Sequence, residues 1–399
     1  MLYVPDAFEP LTETPWDPDR VSRLVRGIVA DADEAFAEGA LWPAHEWDAW
    51  QTPLPLQGLY VGAAGVIWAL ATLRDRGHAE SRLDLARAAR LTLEAWRREP
   101  SLMRIGLPDP AEASLLEGET GILVVLLRLE PDAQLADRLL ELVRANAGNP
   151  ADEVMWGAPG TMLAAGSMLE ITGEDRWADA CCGSATALLA RRDADGVWTQ
   201  HLHGEESRDL GPIHGAVGNV LVLLQGEALL SAAERRRLTD ESAALLRRAA
   251  VVEDGLANWP ASDGRELLAG DGQIRVQWDV GAPGIVASAG SYLDEDLLLA
   301  GAELTWRAGP HGDDKGAGLC HGTAGNGYAL LKAFERTQDE RWLERARRFA
   351  VHALEQAARA REQRGRGRYS LWTGDVGAAL FASDCLEGRA RFPILETWT

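Results

Sequence analysis

Gly322-Thr-Ala-Gly325, with the run Asn326–Phe334 behind it, is the phrase that decides how this chain folds. The same spaced pair of glycines recurs along the chain as Gly62-Ala-Ala-Gly65, Gly118-Glu-Thr-Gly121, Gly157-Ala-Pro-Gly160, Gly215-Ala-Val-Gly218, Gly281-Ala-Pro-Gly284 and Gly374-Asp-Val-Gly377. Each pair is followed by a run rich in Ala and Leu, such as Val66–Leu73 or Ile122–Leu129. These runs lack the strict alternation of a half-buried strand, so each turn is expected to open a helix. Between them lie second, amphipathic helices. Leu83–Arg98 puts Leu85, Ala89, Leu93 and Trp96 on or near one face, and Asp175–Ala190, Ala232–Arg248 and Trp342–Ala358 follow the same pattern.

Successive glycine pairs are 56, 39, 58, 66, 41 and 52 residues apart. An open solenoid tolerates such unevenness only in loops on one face, and it needs polar end caps; a closed ring needs no caps. The expectation is an all-α fold, an α/α toroid of seven inner and seven outer helices, with residues 1–399 forming one domain. The glycines would stand where neighbouring backbones converge, leaving no room for a side chain. The amides at each inner helix start would be free to point into the mouth of the ring. The stretches Glu253–Gly272 and Arg359–Arg368, the second carrying five arginines, read as long loops.

The formal charge of -21, from 61 acidic against 40 basic residues, repels phosphate backbones and argues against nucleic acid as a partner. No stretch offers the roughly 20 apolar residues a bilayer span requires. Residues Met1 to Glu13 have no basic segment before an apolar one, so no secretory signal is expected and the cytoplasm is the default location. Four cysteines, Cys181 and Cys182 adjacent and Cys320 and Cys385 alone, fit a reducing compartment better than a disulfide framework. Fifteen tryptophans point to aromatic packing between helices or to a lined cavity.

Three turns carry residues that packing does not explain. Cys320-His321 directly precede Gly322, His214 directly precedes Gly215, and Asp279 stands two residues before Gly281. If the turns are equivalent in a ring, all of them project toward one mouth. Thiolate, imidazole and carboxylate together suit zinc with a fourth position left open; spacing alone equally allows a set of unrelated polar residues. His201 and His203, in a polar loop, are placed to line the mouth, whereas His45, His78, His311 and His352 read as structural or exposed. Glu117, Glu153 and Asp279 are the carboxylates a carbohydrate-active toroid would need, although that reading leaves Cys320-His321 unexplained.

The chain resembles the lanthionine synthetase cyclase family, and its LanC-like branch more than its peptide-cyclising one. The matching phrases are Leu41-Trp-Pro43, Asp152-Glu-Val-Met-Trp-Gly157, Gly211-Pro-Ile-His-Gly215, Gln277-Trp-Asp-Val-Gly-Ala-Pro-Gly284, Gly318-Leu-Cys-His-Gly-Thr-Ala-Gly-Asn326 and Arg391-Phe-Pro393. The resemblance implies an α/α toroid, a catalytic zinc, and addition of a thiol, from a peptide cysteine or glutathione, to a dehydrated serine or threonine. Two zinc ligands of the family fall on Cys320 and His321, its acid/base histidine on His214, its arginine on Arg275 and its acidic residue on Glu153. Where the family has its first zinc cysteine this chain has Asp279, followed by Val280 in place of an aromatic residue or histidine. A carboxylate is a competent but harder ligand, so weaker metal binding is expected. The alternative is a decayed site that binds glutathione or a peptide without turnover.

Overall fold

The computed structural model describes residues 1–50, 52–102, 109–202, 204–226 and 229–396. Among them are fourteen α-helices: α1 (Pro18–Ala35), α2 (Ala63–Asp75), α3 (Leu85–Arg98), α4 (Glu119–Leu129), α5 (Ala133–Asn146), α6 (Ala158–Thr172), α7 (Asp175–Ala190), α8 (Ala216–Gln225), α9 (Ala232–Ala249), α10 (Ala282–Ala289), α11 (Glu295–Ala308), α12 (Thr323–Thr337), α13 (Glu340–Arg364) and α14 (Asp375–Glu387). Two short antiparallel hairpins, β1 (Gln200–Leu202) with β2 (Glu205–Ser207) and β3 (Val251–Glu253) with β4 (Leu256–Asn258), decorate the loops.

The even-numbered helices form the inner ring. Each packs on the next, and α14 packs on α2, so the ring closes. Their burial is nearly complete: every residue of α10, and Ala63–Leu73 of α2, is buried. The odd-numbered helices form the outer layer and bury one face only. In α3 the residues expected to face inward, Leu85, Ala89, Leu93 and Trp96, are buried. The two layers also start differently. Outer helices carry side-chain caps, among them Asp17, Asp84, Asp132, Ser231 and Asp339. Inner helices start on the first glycine of each pair, which has no side chain to offer.

Backbone carbonyls cap the inner helices instead. Ala63, Ala64 and Gly65 donate to the carbonyls of Leu56, Gln57 and Gly58, and Thr323, Ala324 and Gly325 donate to those of Gly316, Ala317 and Gly318. In these two turns the helix-start amides are satisfied inside the turn and do not point free into the mouth, and at α10 the Ala282 amide donates to the Asn258 side chain, which corrects the sequence expectation there. The loop folds back on its own helix start, and that is why glycine is required. A Cβ on Gly325 would lie 1.7 Å from the Leu319 carbonyl oxygen, and one on Gly65 would lie 2.3 Å from that of Leu59. The second glycine also touches the neighbouring repeat. A Cβ on Gly121 would meet Leu59, one on Gly325 would meet Trp278, and one on Gly65 would meet Leu371 of the seventh turn. Closure is thus made by the glycines themselves.

Arg359–Arg368 is not a loop throughout, because α13 runs to Arg364. Its arginines pair with Glu9, Asp31 and Asp48, tying the N-terminal segments to the last hairpin. The Glu253–Gly272 stretch begins inside the β3–β4 hairpin. Beneath the ring centre the C-terminal segment inserts an aromatic residue: Phe392 stacks on Trp278 at 4.1 Å and 13°, with Trp372 and Tyr328 against it.

Candidate metal centre and its cavity

The turns converge on one mouth because their backbones are stitched together. The Tyr60 amide donates to the Leu116 carbonyl, Trp372 to Tyr60, Cys320 to Trp372, and Asp279 to Cys320. These residues all stand two places before the first glycine of their repeats. The residues one place before it are Val61, Glu117, Trp156, His214, Val280, His321 and Thr373. All but Val280 line a single cavity of about 660 Å³. Repeat position therefore dictates which side chains face the mouth.

His321, on this wall, meets Asp279 and Cys320, the candidate ligand atoms all within 4.8 Å of one another. Nε2 of His321 lies 3.1 Å from Oδ2 of Asp279 and 3.7 Å from Sγ of Cys320. Cys320 is buried, and Oδ1 of Asp279 is buried with no hydrogen-bond partner among the described residues. An orphaned carboxylate oxygen beside a sulfur and an imidazole nitrogen is the donor set of a three-ligand zinc site with an open position. The three residues form a cluster that could hold a metal, with Asp where a second Cys was the family expectation. The charge of Cys320, ahead of burial and helped by Asp279, pushes the His321 imidazole up to about 11. That proton must leave before the nitrogen can ligate a cation. The Tyr60 hydroxyl hydrogen-bonds to Cys320, and burial together with that neighbour keeps it protonated.

His214 stands on the adjacent repeat. Its Nδ1 lies 2.8 Å from Oε2 of Glu153. Glu153 is fully buried, and its oxygens also accept the backbone amides of Met155 (3.0 Å) and Trp156 (2.5 Å). Burial works against the imidazolium of His214, yet the hydrogen bond and charge of Glu153 outweigh it, so the pKa is raised. Because every oxygen of Glu153 is engaged below the surface, it is not an open carboxylate for a sugar, and the carbohydrate reading loses one of its candidates.

Arg275 is placed elsewhere. Its guanidinium pairs with Asp271 at 2.6 Å and lines a second cavity with Val280, Trp259 and Leu268. His201 faces Glu206 on the exposed β1–β2 hairpin and does not line the mouth, and His203 lies outside the described residues. His78, His311 and His352 are engaged in structural contacts as expected. His45 departs from expectation. It lines the cavity together with Trp47 and Trp50, whose indoles are 74% and 61% exposed. Sequence reading also missed Tyr60, and it weighed Glu117 only as a sugar-hydrolysing carboxylate; their offsets from Gly62 and Gly118 were the available signal.

Fold and site together define an α/α toroid with a candidate Asp-Cys-His metal centre in its mouth. The chain belongs to the lanthionine synthetase C-like protein family, whose model matches residues 44–397. It is 35% identical over 144 residues to glutathione S-transferase LANCL1 of Danio rerio, a match that takes in 34% of this chain and about a third (33%) of the length of that relative. Among solved structures it is similar to nisin cyclase, with a TM-score of 0.60 at 16% identity, covering 92% of this chain and 94% of the other. No helix among the described residues is long and apolar enough to cross a membrane.

Proposed function

We propose that this protein is a zinc-dependent enzyme that adds a thiol, from glutathione or a peptide cysteine, to a dehydrated serine or threonine residue. The observation that carries the reading is the cluster of Asp279, Cys320 and His321 beside a cavity that both His321 and His214 line, His214 being paired with the buried Glu153. The two relatives, a glutathione S-transferase and a cyclase, support the same chemistry. Zinc bound by the three ligands would supply Lewis acidity that favours a thiolate at neutral pH. The remaining work falls to the chain. His214, whose protonated form the Glu153 carboxylate favours, delivers a proton to the α-carbon after the sulfur has joined the β-carbon. Tyr60 holds the Cys320 sulfur through its hydrogen bond.

Asp279 favours a second reading, a binding module on the same scaffold that no longer turns over. One experiment separates them. Purified protein is expected to bind one zinc, more weakly than its Asp279→Cys variant, while Cys320→Ala binds none. Elemental analysis with competition against a chromogenic chelator measures this, and mass spectrometry of a dehydroalanine peptide incubated with glutathione reads the adduct. If wild type carries no zinc while Asp279→Cys acquires it, and no adduct forms, the enzyme reading falls.

A further inference from the structure

The repeat geometry singles out a group that the zinc and the Glu153–His214 pair leave unused. Of the side chains one place before the first glycine, three are titratable: His214, His321 and Glu117. The first two belong to the machinery proposed above. Glu117 occupies the same register on the second repeat and lines the same cavity. In a ring of seven, the second repeat is three places from both the fifth and the sixth, which carry Asp279 and Cys320-His321. Glu117 therefore stands across the mouth from the metal cluster.

Its surroundings are those of a group waiting for a partner. The backbone amide of Glu117 is fixed by Ser114 Oγ at 3.0 Å, but its carboxyl oxygens have no hydrogen-bond donor among the described residues. The side chain lies over Gly58, where a Cβ would come within 3.3 Å of Oε2. The nearby carboxylate Asp48 is fully spoken for by Arg368 and Thr373. Burial first, and then the charge of Asp48, push the Glu117 carboxyl up to about 8, so it is largely neutral at pH 7 and can donate. A carboxylic acid held neutral by burial is a known device for binding a developing oxyanion. The family's arginine position cannot serve here in the present arrangement, because Arg275 is paired with Asp271 in the other cavity.

We propose that Glu117 is a further catalytic residue whose carboxyl O–H hydrogen-bonds the carbonyl oxygen of the unsaturated acceptor. The inference rests on the thiol-addition reading. The sulfur lone pair forms the new C–S bond at the β-carbon, and the C=C π pair moves toward the acceptor carbonyl, whose oxygen becomes an enolate held by Glu117. The carbonyl re-forms as the α-carbon takes the proton of His214, and His214 is reprotonated by the proton that left the thiol. No oxidant, reductant or further reactant is needed.

The test uses N-acetyldehydroalanine amide, labelled with 13C at the carbonyl, and glutathione. Infrared spectra of the bound acceptor are expected to show its carbonyl band displaced to lower frequency in wild type. The displacement is expected to vanish in Glu117→Ala and to survive in part in Glu117→Gln, whose amide still donates. Turnover in Glu117→Ala is expected to fall by about 10²-fold with glutathione affinity unchanged. An unshifted band in wild type, or equal turnover in wild type and Glu117→Ala, overturns the proposal even if the enzyme is active. Absence of turnover in wild type, with a displaced band lost in Glu117→Ala, sinks the catalytic reading but supports the contact to the acceptor carbonyl. Failure of wild type to bind the acceptor overturns both.

Discussion

The fifth and sixth turns of the ring and its first and second turns share one backbone and differ in chemistry. In both pairs the residue two places before the glycine donates its amide to the next turn, Asp279 to Cys320 and Tyr60 to Leu116. In both pairs the second glycine is pressed against a carbonyl oxygen, 1.7 Å from a built Cβ at Gly284 and 2.2 Å at Gly121. Yet one pair presents carboxylate, thiol and imidazole within 4.8 Å of one another, and the other presents a phenol and an isolated carboxyl. The lesson is that the repeat fixes where side chains point and leaves their identity free. In these four turns the reactive groups stand in the two slots before the first glycine.

The comparison breaks most completely at the shared backbone. Gly325→Ala is expected to destabilise the protein by about 3 kcal/mol or more, since neither the Leu319 carbonyl nor its helix can retreat. Gly121→Ala, on the other side of the ring, is expected to cost a comparable amount. Gly39→Ala, with nothing within 4 Å of its Cβ, serves as the control and should stay within about 0.5 kcal/mol. Denaturant unfolding of the three variants measures the contrast; equal behaviour of Gly325→Ala and Gly39→Ala would remove the steric account of the turns.

A smaller effect sharpens the difference between the two sides. His214→Ala is expected to lower adduct formation by about 10²–10⁴-fold. Glu153→Gln removes the charge that helps hold the His214 pKa up and leaves only a neutral acceptor, so the pKa falls. Because the step uses the protonated ring, activity of Glu153→Gln should be lost at lower pH than in wild type. A pH–rate profile of both proteins decides this; an unchanged alkaline limb would leave Glu153 a purely structural residue.

The smallest expected effect is on stability at Glu117. Its folded pKa of about 8 lies above the ordinary 4.5, so its stabilising contribution is full below pH 4.5 and is lost as pH rises toward 8. Glu117→Gln does not titrate. It should therefore gain on wild type across that window, by roughly 1–2 kcal/mol after allowing for solvent screening. The raised carboxyls of Asp375 and Asp384, at about 7 and about 6, have the same sign and remain in the variant, so its stability still declines with pH, less steeply. Melting temperatures from pH 4 to 9 test the difference in slope.

The sequence by itself carried the ring and much of the metal cluster. Seven glycine pairs, each before an Ala- and Leu-rich run, are a local instruction that every turn repeats, and Cys320-His321 sit in the register that instruction sets. Asp279 was legible for the same reason. What the sequence left undecided depends on contacts between distant segments. That Gly65 packs on Leu371 follows only from closure, because nothing in either stretch refers to the other. Arg275 was matched to the family's arginine from its place four residues before Asp279, but its guanidinium pairs with Asp271 and lines a second cavity. His45, Trp47 and Trp50 reach the mouth because the segment around them is drawn back across the chain, with Arg368 gripping Asp48. Glu117 faces the metal cluster because the second repeat lies opposite the fifth and sixth in a ring of seven. Periodicity specifies backbone conformation residue by residue, whereas the neighbours of a side chain across the mouth are set only when the last hairpin packs on the first.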